Sequence, residues 1–190
     1  MPATATCSIK SLSPISFSKH YEVDKLDKES ANDYEKRTWR ERCHYDKDGM
    51  VFVPPMAFKW ALADAGKFLG EKIQGRRGAT FTKHFESGVL VLDGLPLGVK
   101  KDEIECEQLF VPSDGKHGSG SRVTKYFPIV YKWAGVVTYH IIDSTITKDV
   151  FLRHLKESGN FIGLLRFRPR RGGVYGRFSV EDFEWQAEEA

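Results

Sequence analysis

Cysteine is scarce in this chain, and its placement excludes two classes of fold. The three residues, Cys7, Cys43 and Cys106, are far apart, odd in number and form no CxxC pair. A disulfide framework and a structural zinc site are therefore not expected, and free thiols in a reducing compartment are. No apolar run approaches the roughly 20 residues of a membrane helix. The N-terminal Met1-Pro2-Ala3-Thr4-Ala5-Thr6 lacks the basic and apolar regions of an export signal, so a soluble cytoplasmic protein is expected.

Catalytic signatures are equally sparse. The six histidines, His20, His44, His84, His117, His140 and His154, form no HExxH or HxH pattern, so no metal site is expected. There is no GxSxG, no Walker A sequence and no dinucleotide fingerprint, and no cofactor is expected. No internal repeat is found. The acids Asp102, Glu103, Glu105 and Glu107 read as a solvated strand face rather than a two-metal site.

What is present is a core, with charge distributed unevenly around it. The chain has 190 residues, 41% hydrophobic and 13% aromatic, enough for one domain to fold alone. The formal net charge is only +3. Residues 181–190, however, hold Glu181, Asp182, Glu184, Glu188 and Glu189 and no base. Before them, 29 basic residues stand against 21 acidic ones, a balance of +8. A basic body with an acidic C-terminal segment is the electrostatic footprint expected of a nucleic-acid binder.

Local patterning gives a strand at Cys7–Leu12, a charged helix or ordered excursion over residues 24–44, and a short strand at Met50–Val53. Pro54-Pro55 opens the clearest helix, with Phe58, Ala61, Leu62, Ala65, Phe68, Leu69 and Ile73 in one apolar stripe. That stripe predicts packing on a sheet through Phe58, Leu62, Phe68 and Leu69. Strands are expected at Val89–Leu92 and Ile104–Val111, then a pair at Val123–Val130 and Val136–Ile142. Residues 113–121 read as a turn-rich loop. Thr147 caps a helix running to Gly159, and Val174–Phe183 is the last strand.

The order of the strongest elements is strand, helix, strand, strand, helix, strand. It predicts an α+β fold, a ferredoxin-like or RRM-like antiparallel sheet with two helices on one face. We expect a single domain over 1–190 with inserted loops at about 14–50 and 94–134.

The segment Gly163–Arg177 is the most informative, with Arg166, Arg168, Arg170, Arg171 and Arg177 among four glycines, Phe167 and Tyr175. Arginine matches phosphate geometry, glycine admits close approach of the backbone, and Phe167 and Tyr175 offer rings to bases. Arg76, Arg77, Lys83 and His84 form a second basic segment. Ser18-Lys19-His20-Tyr21, together with Arg37, Trp39, Arg40 and Arg42, forms a third. Each has a structural reading as well: a solvated turn with Phe167 and Tyr175 in the core for the first, a solvated loop for the second, and a core tryptophan at Trp39 for the third. His20, His84 and His117 are the candidates for proton transfer should the chain be an enzyme.

These residues resemble the repeat-associated mysterious protein superfamily, in particular backbone subunits of CRISPR effector complexes. Ile9–Ile15 looks like that family's first strand and turn, Val51–Pro55 like the entry to its first helix, and Phe161–Phe178 like its glycine-rich loop. The resemblance implies an RRM-like core, cooperative binding along a single-stranded nucleic acid, and head-to-tail self-association. The leading expectation is a non-catalytic binder of single strands, with RNA favoured over DNA, acting as an oligomer. A free-standing relative, phage-encoded, is the other setting it suggests. The alternatives are a metal-independent endoribonuclease of the same superfamily and a protein-interaction module that mimics or blocks a backbone subunit.

Overall fold

The computed structural model describes residues 2–113, 118 and 120–187. The loop histidine His117 and the acids Glu188 and Glu189 lie outside the described residues. Four antiparallel strands form the main sheet: β1 (Ala3–Ser11), β4 (Val89–Leu90), β8 (Ala134–Ile141) and β9 (Phe178–Ala187), in the order β4-β8-β1-β9. Period-two alternation fixes the register of β1. Ala3, Ala5, Cys7 and Ile9 are buried, and Cys7 is aligned with Val137 on one side and Phe183 on the other. A bulge in β9 opposite Ser8 and Ile9 shifts the pairing by one residue.

Helices α2 (Pro55–Leu69) and α4 (Lys148–Glu157) pack together on the buried face of this sheet. The proline entry to α2 is as expected, but the helix stops at Leu69 because Gly70 turns left-handed, with φ 55°. Thr147 caps α4, its hydroxyl accepting from the Val150 N–H.

Residues 24–44 resolve into α1 (Ala31–Thr38), capped by Ser30, and a 3-10 turn Trp39–Arg42. Two smaller sheets complete the chain: β2 (Ile15–Ser16), β7 (Arg122–Val130) and β6 (Glu105–Pro112) in one, β3 (Met50–Val53) and β5 (Leu95–Lys100) in the other. The short helix α3 (Thr82–Ser87) precedes β4.

Other sequence expectations change as well: the first strand begins at Ala3, and the last runs from Phe178 to Ala187. The strands β7 and β8 do not pair with each other. Both edges of β7 are taken by β2 and β6, and both edges of β8 by β1 and β4. The expected strand at Val89–Leu92 ends at Leu90, and Leu92 is exposed. The α2 stripe is buried at Phe58, Ala61, Leu62 and Ala65, but Phe68 is 52% exposed and stacks on Phe161 rather than on the sheet. Of the thiols, Cys7 and Cys43 are buried and pushed up to about 12 by desolvation, while Cys106 is exposed.

Candidate nucleic-acid interface

Two rows of residues run along α2. The first, Phe58, Ala61, Leu62 and Ala65, enters the core. The second, Met56, Trp60, Asp64 and Lys67, recurs at helical spacing on the outer side. Burial of the first row obliges α2 to present the second, which forms one wall of a cleft of about 870 Å³. The Gly163–Arg177 loop adds Leu165, Arg168 and Arg171 to its lining as a second wall, and His44 and Glu86 also border it.

The loop that supplies that wall is fixed by its own backbone. Leu165 and Phe167 have φ of 59° and 52°, values that cost an L residue with a large side chain. A Cβ on Gly173 would sit 1.8 Å from the Phe167 carbonyl, and one on Gly176 would sit 2.2 Å from the Leu164 carbonyl. The glycine N–H groups are spent inside the structure: Gly173 donates to Arg168 O at 3.0 Å and Gly176 to Pro14 O at 2.7 Å. These glycines permit close packing of the loop on itself and on the turn after β1. The 3-10 turn Pro169–Arg171 then carries Arg170 and Arg171 out to solvent.

The structure sorts the five loop arginines by their partners. Arg166 donates to Glu107 at 3.1 Å and Ser16 at 3.2 Å, and lies against Phe127. Arg168 donates to Asp64 at 3.1 Å. Arg177 donates to the Asn160 carbonyl at 2.5 Å. Arg170 and Arg171 are exposed and have no acidic partner among the described residues. Tyr175 packs edge-on to Phe167 and donates to Glu107. Burial, reinforced by that carboxylate, pushes its phenol up to about 12.

The third basic segment divides as well. Lys19 is exposed, sits 5.4 Å from the Tyr45 ring centroid, and lines a small hollow that shares His44 and Leu165 with the cleft. Burial, with the Lys19 charge nearby, holds the His44 imidazole below its usual pKa. Arg37 is clasped by Glu29 at 2.7 and 2.8 Å, and this bond holds the Glu29 carboxyl at about 2. Arg40 stacks on Trp39 at 4.3 Å, and its Nε is buried without a hydrogen bond among the described residues. His20 is exposed beside Glu22.

In the second segment Arg76, Arg77 and Lys83 are exposed. The His84 Nδ1 lies 2.6 Å from Asp143. Thus Arg166, Arg168, Arg171 and Lys19 border the cleft or its adjoining hollow, with Arg170 beside them. His20, Arg37, Arg40, Arg76, Arg77, Lys83, His84, Tyr175 and Arg177 line neither.

Sequence reasoning passed over Trp60, Lys59, Lys67 and His44. Trp60 is 57% exposed within the cleft, far more than a large aromatic needs when it serves the core. The signal was legible: a tryptophan two positions out of the apolar stripe, in step with Met56, Asp64 and Lys67. Four cationic side chains and two carboxylates border the cleft. Both carboxylates are paired, Asp64 with Arg168 and Glu86 with Lys67 at 2.6 Å. Lys59 and Arg171 are left without acidic partners among the described residues. The uncovered face of the main sheet differs. It presents Thr4, Thr6, Ser8, Lys10, Thr138 and His140 together with Asp182 and Glu184, a face of mixed charge without a cluster of arginines.

No family model and no curated protein matches the sequence. Among solved structures, a chain of the cryo-EM structure of the type III-B Cmr-beta bound to cognate target RNA superposes with a TM-score of 0.61 at 12% identity, over 97% of the present chain. The chain has the fold of a type III-B CRISPR effector subunit. It spans 61% of that subunit's length. The crystal structure of Cmr6 from Pyrococcus furiosus also matches, with a TM-score of 0.47 and 12% identity, over 95% of the present chain and 99% of Cmr6. The likeness to CRISPR effector subunits read from Ile9–Ile15, Val51–Pro55 and Phe161–Phe178 thus holds at the level of the fold.

Proposed function

We propose that this chain is a non-catalytic module that binds single-stranded nucleic acid, RNA by preference, in the cleft between α2 and the Gly163–Arg177 loop. The observation that carries the reading is Trp60, an exposed ring that lines the cleft together with Lys59 and Arg171. A ring for base stacking beside unpaired cations for phosphate is the arrangement that holds single strands without a sequence code. The RNA bound in the Cmr-beta structure supports RNA as the ligand. The ferredoxin-like plan is supported by the order β4-β8-β1-β9 with α2 and α4 on one face.

Self-association along the strand, in a CRISPR-like complex or as a free-standing cytoplasmic relative, is part of the same proposal. The exposed acids Glu181, Asp182 and Glu184 and the exposed Arg76 and Arg77 give it complementary charge. The competing endoribonuclease reading draws on the His84–Asp143 pair, but that pair does not line the cleft.

One experiment separates the readings. Labelled RNA is incubated with the protein without metal, and Trp60→Ala is compared with the wild type. Shifted but intact RNA, with affinity lost in Trp60→Ala, supports the binding module. Cleavage that His84→Ala abolishes supports the enzyme.

A further inference from the structure

A carboxylate in a phosphate-binding cleft is an electrostatic liability, and Asp64 stands in the middle of this one. It lies one helical turn after Trp60, so the two Cβ atoms are about 5–6 Å apart on the same helix face. Its Oδ2 is held by Arg168 at 3.1 Å, and its Oδ1 has no hydrogen bond among the described residues. The side chain is 25% exposed and borders both the cleft and a hollow of about 200 Å³ that it forms with Arg170 and Arg171.

Asp64 shares the cleft with Trp60 and the hollow with Arg170 and Arg171, so a nucleotide whose base stacks on Trp60 and whose phosphate meets those arginines has its sugar within reach of Asp64. We infer that Asp64, oriented by Arg168, accepts a hydrogen bond from the ribose 2′-hydroxyl and makes the cleft selective for RNA over DNA. The inference rests on the cleft reading proposed above. A carboxylate only accepts, and the 2′-hydroxyl is the one group by which ribose can donate to it. With deoxyribose the desolvated oxygen is left unpaired beside a phosphodiester chain. A site built around a substrate hydroxyl discriminates strongly for this reason.

Fluorescence anisotropy with a labelled uridine oligomer of about 12 nucleotides and its deoxyuridine and 2′-fluoro counterparts tests this. The wild type is expected to bind the ribo form about tenfold more tightly than the other two. Asp64→Ala, which removes the acceptor, should close that gap, chiefly by weakening the ribo form, while the deoxy form binds as before or more tightly. A 2′-fluoro strand bound as tightly as RNA overturns the inference, and needs no variant to fold. So does a gap that survives in Asp64→Ala, or an equal loss for all three strands. Trp60→Ala separates this failure from that of the cleft reading. If it weakens all three strands while Asp64→Ala leaves the gap, only the role of Asp64 falls. If it changes none of them, the cleft is not the interface and both fall.

Discussion

The guanidinium carbon of Arg166 lies 3.6 Å from the centroid of the Phe127 ring, while its Nη1 donates to Glu107. Both charged side chains are mostly shielded, at 14% and 22% exposure. Arg166 therefore ties the loop to strands β6 and β7. Arg166→Ala should cost about 1–3 kcal/mol, because Glu107 loses a charged donor in a shielded place. Urea unfolding with an unchanged slope would register this as a lower midpoint.

Arg170 and Arg171 should behave in the opposite way. They carry no internal ion pair among the described residues, so the double alanine variant should unfold within about 0.5 kcal/mol of wild type. Its effect should appear in binding. The slope of log K against log salt should fall by about 1.4, at about 0.7 per phosphate contact on a single strand. An unchanged slope in a folded variant would remove both residues from the interface.

Phe58 and Phe68 come from one stripe but face different surroundings. Phe58 is 1% exposed, and Phe58→Ala should cost ~3–5 kcal/mol. Phe68 is half exposed and stacks on Phe161 at 5.4 Å, so Phe68→Ala should cost only about 1 kcal/mol. Thermal midpoints of the two variants give the comparison.

The loop glycines differ in the same way. Gly172 has φ 78° but open space around its missing Cβ, so Gly172→Ala should cost about 1 kcal/mol. Gly176 has φ 74° and backbone atoms of Leu164 within 2.5 Å of a Cβ, so Gly176→Ala should cost about 3 kcal/mol or more. It should also weaken RNA binding at temperatures where the variant is still folded, since the loop that carries Arg171 must move.

His154 predicts an acid-side loss of stability. Its ring is fully buried, stacked 4.3 Å from Phe85, and its Nε2 has no hydrogen bond among the described residues. Burial lowers its pKa, against the opposing pull of the Val150 carbonyl and Glu71, with Arg153 and Glu157 also within electrostatic reach. The folded chain therefore refuses a proton that the unfolded chain accepts below about 6.5. Its contribution is complete above that pH and is lost as pH falls from there toward the lowered folded value. Half-buried His44, also lowered, adds to the same window. Thermal midpoints between about pH 7.5 and pH 5.5 should fall for wild type and fall less for His154→Phe.

Features that depend on neighbours a few residues away were legible in the amino-acid order. The α2 entry at Pro54-Pro55, the Thr147 cap and the alternation of Ala3, Ala5, Cys7 and Ile9 are local, because helix and strand periods are set by backbone geometry. The same period held the clue to Trp60, in step with Met56, Asp64 and Lys67. Only the tertiary structure decided which cations are free. Arg166 meets Glu107 across 59 positions and Arg168 meets Asp64 across 104, whereas Arg170 and Arg171 sit on an exposed turn beside Asp64, whose carboxylate Arg168 already holds. The pairing of β7 and β8 with different partners was likewise undecidable locally, since an exposed strand edge accepts any strand that the rest of the chain brings to it. Charge density along a chain counts arginines; an ion pair forms in space, and its partner comes from whichever segment the core packing places beside it.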